Sequence, residues 1–576
     1  MTPLVLFLAA LAVRVIAAVG YGDPAYPDSF YYANLGRQLA AGNGLQIDYV
    51  WNFVDVGGRI PADGILPIPS NAHWMPLAAL IQLPFLWLFG PTPLGHGLGF
   101  WLAGAMAAPL AYWIGRDAGF GRLASIAGGL LCAAPGATTQ FLSQPDNFAL
   151  YMPLGALALW LCGRGLRGDR RSFVLGGLVV GLATLSRNDG VLLGVPFAGA
   201  FLLERWRLWR AEGGDGAGLV RRLLAYGPIG WRVALGAAGG FLIVAGPWYL
   251  RQLAVFGSLS PSAENGRILF IRDYNELWSA ASETTLSTFL GQGFESLAVS
   301  RAGGLVMALV IFAGLPLLIY LVPFTLAGTW HERRNPLVLP WVVYAIVLFA
   351  FNGLLFAVHV PFGTFLHSAV ALAPHAYLMA AVGVGVAVTW ASRWRRHWDV
   401  PRATRVFTAS AVVIAAIAAG GSILRGEAGW RREDVMRAPI MAALADAPAG
   451  DRVMSPDAGA YRYHAGRQGV VTPNDPLPVV EQALRAYGIR WLALERPHLV
   501  PALRPLLAGT ERPAWLSRPV VVVPASGQAT GAARSTGQTD DSVGETADAS
   551  GAAAAPLPEA ALYAVCFEPG DTRCEP

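Results

Sequence analysis

The sequence predicts a mainly α protein: a polytopic transmembrane helical bundle of about eleven spans with a small α/β domain at its C-terminal end. Three observations predict it. First, 54% of the 576 residues are hydrophobic and only 14% are charged, with a mean hydropathy of +0.45; a soluble domain carries about 25% charged residues. Second, apolar runs long enough to cross a bilayer recur through residues 1–425 and stop there. Third, arginines gather between those runs at intervals of two spans. All the basic side chains are Arg, with no Lys.

The apolar runs are 3–21, 95–115, 122–142, 147–163, 173–187, 190–204, 232–250, 303–327, 336–358, 366–391 and 405–422. The first lacks a basic leading segment and a small-residue cleavage site, so it reads as an uncleaved span rather than a signal peptide. Arg clusters occur at Arg116/Arg122, 164–171, 205–232, 333–334 and 393–405. Cytoplasmic loops retain Arg, and all five clusters share one side if the N-terminus is cytoplasmic. Residues 22–94, 143–146, 187–189, 251–302 and 359–365 then lie outside, as does the C-terminal domain. The run 76–90 is short and contains Pro76 and Pro84. A crossing there would invert every later cluster, so it reads as re-entrant or interfacial. A pI near 9.1 is thereby explained by topology, and nucleic acid is not an expected partner.

Residues 426–576 are polar. Strand-like runs at Arg452–Ser455, Gly469–Thr472 and Ile489–Leu494 alternate with a helical run at Pro478–Tyr487. Pro519–Pro524 and Ala561–Phe567 read as a closing strand pair. Between them, 525–556 is rich in Gly, Ala, Ser, Thr and Asp without apolar periodicity and reads as a disordered insertion. Of four cysteines, Cys132 and Cys162 lie in apolar runs, and Cys566 and Cys574 are free to pair if that end is outside. No His/Cys cluster has zinc spacing.

The outside loops hold the chemistry. Asp28 follows Pro27 just beyond the first span and opens a helix-like stretch that ends at Gly42. Tyr31, Tyr32 and Leu35 share its face by helical spacing. An Asp there caps a helix well and is also placed as a general base. Asp23, in Gly-Asp-Pro, reads as a turn residue. Asp146 precedes an apolar helix and reads either as its N-cap or as a group that binds acceptor or a cation. His73 lies before the interfacial segment. His367 and His375, eight apart, share a helix face near the outer end of their span, where an ionisable group is costly and marks function. Arg14, within the first span, is either functional or snorkels outward.

These features in order resemble the GT-C membrane glycosyltransferases, closest to the protein O-mannosyltransferase and aminoarabinose transferase branch. The matching segments are Asp28-Ser-Phe-Tyr-Tyr, Gly42-Asn-Gly44, His73-Trp-Met-Pro-Leu77, Gln144-Pro-Asp-Asn147, Gly181-Leu-Ala-Thr-Leu-Ser-Arg-Asn-Asp-Gly190 and Gly246-Pro-Trp-Tyr-Leu-Arg251 with Phe256-Gly257. They cover roughly residues 1–425. The chain departs from the family with Ser29 after Asp28, Trp74-Met75 after His73, and Gln252 after Arg251.

The resemblance implies a transferase that takes a sugar from a polyprenyl-phosphate donor on the extracytoplasmic side of a bacterial inner membrane and passes it to a protein, glycan or lipid acceptor. A carboxylate, Asp28, would take the acceptor's proton. Cations would stabilise the departing phosphate, for which Arg suits: Arg251, Arg267 and Arg272 are the candidates. His73, Asp146, Tyr31, Tyr32, Arg187 and His367 would line the substrate site. No cofactor is implied, although a divalent cation is compatible with it. The alternatives are a transporter or lipid flippase, or a noncatalytic envelope-assembly protein with the same fold. Charges clustered outside the membrane, and no visible internal repeat, weigh against transport.

Overall fold

The computed structural model describes residues 1–211, 229–395, 397–525, 557–568 and 571–574. The insertion expected over 525–556 therefore lies, apart from Ala525, outside the described residues, as do Arg221, Arg222 and Arg396 of the basic clusters. The chain divides into two compact units: residues 1–47, 67–277 and 283–431, and residues 48–66, 278–282 and 432–576.

The first unit is helical. Among the described residues, seven helices are long and apolar enough to cross a membrane: Thr2–Gly20, Pro93–Asp117, Phe148–Leu166, Trp231–Phe256, Phe294–Gly314, Thr364–Ala391 and Val400–Ala445. Shorter helices, Arg122–Ala133, Arg170–Ser186, Gly194–Ala211 and Leu339–Leu354, pack among them. Thr364–Ala391 is the most buried, whereas Thr2–Gly20 and Phe294–Gly314 are mostly exposed. Their exposed Leu, Ile and Val side chains are what lipid-facing positions require.

Several runs read as single spans are broken. The run 122–142 stops at Ala133; Pro135 and Gly136, with φ of 57°, turn it into the 3₁₀ segment Gly136–Ser143. The run 303–327 splits into Phe294–Gly314 and Val322–His331, since Leu318 and Ile319 both take positive φ. Within 76–90 the structure has only the helices Leu77–Leu80 and Leu83–Phe89, of four and seven residues. A bilayer needs about 20 residues of helix, so this segment cannot cross. Trp87, Leu88 and Phe89 are exposed at its end, as an interfacial anchor would be.

The first loop begins with the helix Pro27–Ala40. Pro27 occupies its first position, where no donor is lost. The chain leaves through Gly42 and Gly44, with φ of 80° and 78°, a left-handed geometry that a side chain resists.

The second unit is α/β. Its six-stranded sheet runs in the order Tyr49–Val50, Gly469–Val471, Arg452–Ser455, Ile489–Glu495, Ala560–Val565, Leu516–Val523. The first four strands are parallel, and the last two pair antiparallel. Helices Ala458–Ala465 and Leu477–Ala486 make the parallel crossovers. The strand pattern of the tail is therefore present, but one edge strand, Tyr49–Val50, comes from the first loop. The helix read as 405–422 also runs on to Ala445. At the carboxyl end of the Ile489–Glu495 strand, Arg437 donates to both Glu495 oxygens at 2.9 and 2.8 Å, and Tyr461 donates to the same carboxylate. Cys566 and Cys574 form a disulfide, and Cys132 and Cys162 are buried free thiols.

Candidate active site

Asp28 lies in the first turn of Pro27–Ala40 without capping it. Tyr26 is the N-cap residue, and the Ser29 hydroxyl accepts the Ala25 and Tyr26 amides at 2.8 and 3.0 Å. Ser29 thus makes the side-chain bonds to the backbone that leads into the helix.

Asp146 follows the 3₁₀ segment Gly136–Ser143 and is fully buried. The cap of Phe148–Leu166 is Asn147, not Asp146. Asp146 instead accepts the Tyr26 hydroxyl at 2.9 Å and the Asn147 amide at 2.5 Å. Burial raises its pKa to about 6, against the pull of those two donors and of Arg187.

His367 comes from the N-terminal part of Thr364–Ala391. Its Nε2 is 3.7 Å from Asp28 Oδ2, and its Nδ1 is 3.8 Å from Asp146 Oδ2 and 2.9 Å from Asn147 Oδ1. The ring stacks on Phe148 at 3.8 Å between centroids. Two carboxylates and a histidine, from three distant parts of the chain, thus share one pocket, their ligand-type atoms within 4.8 Å of one another. Opposite ring nitrogens face the two carboxylates at 3.7 and 3.8 Å, longer than a hydrogen bond, and one ligand atom from each residue could reach a shared cation.

Arg187 ends the helix Arg170–Ser186. Its Nε donates to Asp189 at 2.9 Å and its Nη2 to the Thr364 carbonyl at 3.4 Å. Ser368, next to His367, donates to the other Asp189 oxygen. Burial opposes the Arg187 charge, but Asp189 holds its pKa above the usual value. The pairing does not isolate it: its charge is felt at Asp146, Tyr32 and His73. Gly190 lets this turn fold back, since a Cβ there would fall 2.5 Å from the Ala183 backbone.

His73 contacts Ser262 Oγ at 3.2 Å through Nδ1, and its carbonyl accepts from Asn188 at 2.7 Å. Burial, then the neighbouring His359 and Arg187, lower its pKa to about 3, so it is neutral near pH 7. Trp74 packs 5.8 Å from both Tyr31 and Tyr32, and the Tyr31 hydroxyl accepts the Asn71 amide.

Arg251 projects from the outer end of Trp231–Phe256. It lies over the Trp248 and Phe256 rings and donates to Gln252 and to the Leu45 carbonyl. Gln252 passes the contact on by donating to the Asn71 carbonyl at 2.8 Å. Arg267 is buried and donates to the Glu276 carbonyl at 3.4 Å. Arg272 is an exposed partner of Glu276, at a surface position rather than in the buried set. His375 is buried deeper in the same helix as His367, against Trp341. Arg14 is buried too, donating to the Ala10 and Ala133 carbonyls rather than snorkelling outward.

Tyr26, Asn147 and Ser368 were not singled out in the sequence. Asn147 lies inside the quoted Gln144-Pro-Asp-Asn147 segment, and Tyr26 stands directly before the Asp28 turn. Those were the available signals; no spacing rule joins residues 120 or 220 positions apart.

Residues 72–228 match the family model for dolichyl-phosphate-mannose-protein mannosyltransferase. The fold is similar to that of ArnT from Cupriavidus metallidurans crystallised bound to undecaprenyl phosphate, with a TM-score of 0.50, 15% identity, and coverage of 88% of this chain and 95% of that one. The apo crystal structure of the same protein gives a TM-score of 0.47 and 14% identity over 97% of each chain. No curated protein sequence matches the chain. The family match is thus confined to residues 72–228, and the likeness to ArnT is one of fold.

Proposed function

We propose that the protein moves a sugar from a polyprenyl-phosphate donor to an acceptor hydroxyl on the extracytoplasmic face of a bacterial inner membrane. The observation that carries this reading is the buried pocket in which Asp28 faces His367 beside Asp146. Asp28 is the general base: it takes the acceptor's proton as the acceptor oxygen attacks the anomeric carbon. Such a base is worth about 10²–10⁴-fold in rate. The leaving group is a lipid phosphate, so positioned cations replace any need for a protonated leaving group. The Arg187 charge is felt at Tyr32 and Arg251 feels Tyr31, while Arg267 is buried and Arg272 would have to leave Glu276 to take part. Neutral His73 is suited to orient a hydroxyl.

The reading is supported by the mannosyltransferase family match and by the undecaprenyl phosphate bound to the similarly folded ArnT. The location is supported by the Arg clusters, and by a disulfide, which persists in oxidising compartments. The test is glycan and lipid profiling of a deletion strain complemented with native protein or Asp28→Asn. The expected result is loss of one glycoconjugate in the deletion, restored by native protein and not by Asp28→Asn at equal membrane abundance. Restoration by Asp28→Asn would contradict the assignment of the base.

A further inference from the structure

Asn147 Oδ1 sits 2.9 Å from His367 Nδ1, a contact that a proton on Nδ1 satisfies, because an amide oxygen only accepts. Asn147 Nδ2 reaches the Tyr32 hydroxyl oxygen at 3.5 Å. Neutral His367 therefore turns a bare Nε2 lone pair toward Asp28 Oδ2, 3.7 Å away. Two acceptors face each other across a gap that one proton would bridge. Apo sites often hold such contacts long and tighten them with substrate bound.

Carboxylates lie on both sides of the His367 ring. Asp146 lies on its Nδ1 side at 3.8 Å and would stabilise an imidazolium. Asp189 is one residue away through Ser368. Arg187, the cation facing the ring, is engaged by Asp189. Phe148 stacks on one ring face, and the Tyr26 hydroxyl is committed to Asp146.

We propose that His367 is the proton-accepting partner of Asp28, so that the base is a dyad rather than a lone carboxylate. The inference rests on the reading of Asp28 as general base. As the acceptor oxygen bonds to the anomeric carbon, the bond from that carbon to the donor phosphate oxygen breaks, and its electron pair leaves with the polyprenyl phosphate. The acceptor's proton goes to Asp28 Oδ2 and then to His367 Nε2. This restores the carboxylate before the product leaves, and the imidazolium later gives the proton to the phosphate product or to water. Asp28 alone touches the acceptor; His367 is a positioning residue that acts through it.

The test compares His367→Asn, whose amide can replace Nδ1 toward Asn147 but leaves nothing at Nε2, with His367→Gln and Asp28→Asn. Transfer is measured in vesicles from producing cells, using the polyprenyl-phosphate-sugar pool extracted from those cells. His367→Asn is expected to lose about 10–100-fold in kcat with KM unchanged, and to alter the acid limb of the pH profile. In the full-length protein in nanodiscs, ¹⁵N-histidine NMR is expected to show His367 as the Nδ1–H tautomer, with its titration shifted to lower pH by Asp28→Asn. Chelators are expected to leave transfer intact. An Nε2–H tautomer, native turnover in His367→Asn, or chelator inhibition reversed by a divalent cation would each overturn the dyad. If Asp28→Asn stays active, the base assignment itself fails; if Asp28→Asn is dead and His367→Asn is normal, only the dyad does.

Discussion

At Asp146, burial and hydrogen bonding pull in opposite directions, and burial wins: the carboxyl is raised to about 6. Above that pH it is ionised and accepts from Tyr26 and Asn147. As pH falls through 6 it takes a proton and no longer balances charge at His367. Transfer should therefore decline below about pH 6, and Asp146→Asn should flatten that limb. The effect on stability has the opposite sign. A carboxyl raised by the fold favours the folded state below about pH 4, and that contribution is lost as pH rises through 6. A loss of activity at pH 5.5 with a melting temperature that does not fall would identify titration rather than unfolding. A pH-independent rate between 5 and 7.5 would contradict it. Asp28, Asp146 and His367 were legible one by one, because ionisable side chains at span ends stand out in an apolar sequence. Their convergence was not legible, nor were the hydrogen bonds from Tyr26 and Asn147, since each depends on tertiary placement of segments far apart in the chain.

At the scale of elements, the turn after Arg170–Ser186 is the tightest approach near the site. Gly190→Ala would put a methyl 2.5 Å from the Ala183 backbone. Such overpacking costs about 1–3 kcal/mol, and relief would move the adjacent Asp189 and Arg187. The expected outcome is a lower melting temperature in detergent together with reduced transfer; unchanged values of both would show that the turn yields freely. Spans were legible where apolar runs were unbroken. They were misread at 122–142 and 303–327, where hydropathy continues across a break made by backbone geometry: Pro135 with Gly136, and positive φ at Leu318 and Ile319. The two-residue strand Tyr49–Val50 was invisible because its partner, Gly469–Val471, lies far along the chain. The parallel strands of the tail were readable from local β-branched and apolar runs.

For the whole molecule, alternating basic loops and the disulfide make one joint prediction about sidedness. Cys566 and Cys574 should resist a membrane-impermeant maleimide in intact spheroplasts and react only after reduction. Cys132 and Cys162, both buried, should react only after denaturation. Reaction of Cys566 or Cys574 from the cytoplasmic side alone would invert the topology and remove Asp28 from the extracytoplasmic face. The central claim is that Asp28 takes the acceptor's proton in sugar transfer from a lipid phosphate. Its most direct test is single-turnover transfer from the extracted polyprenyl-phosphate-sugar pool by native protein and Asp28→Asn, each reconstituted in liposomes with the same donor binding. The account predicts donor consumption by the native protein and a rate at least about 100-fold lower in Asp28→Asn; equal rates in the two would contradict it.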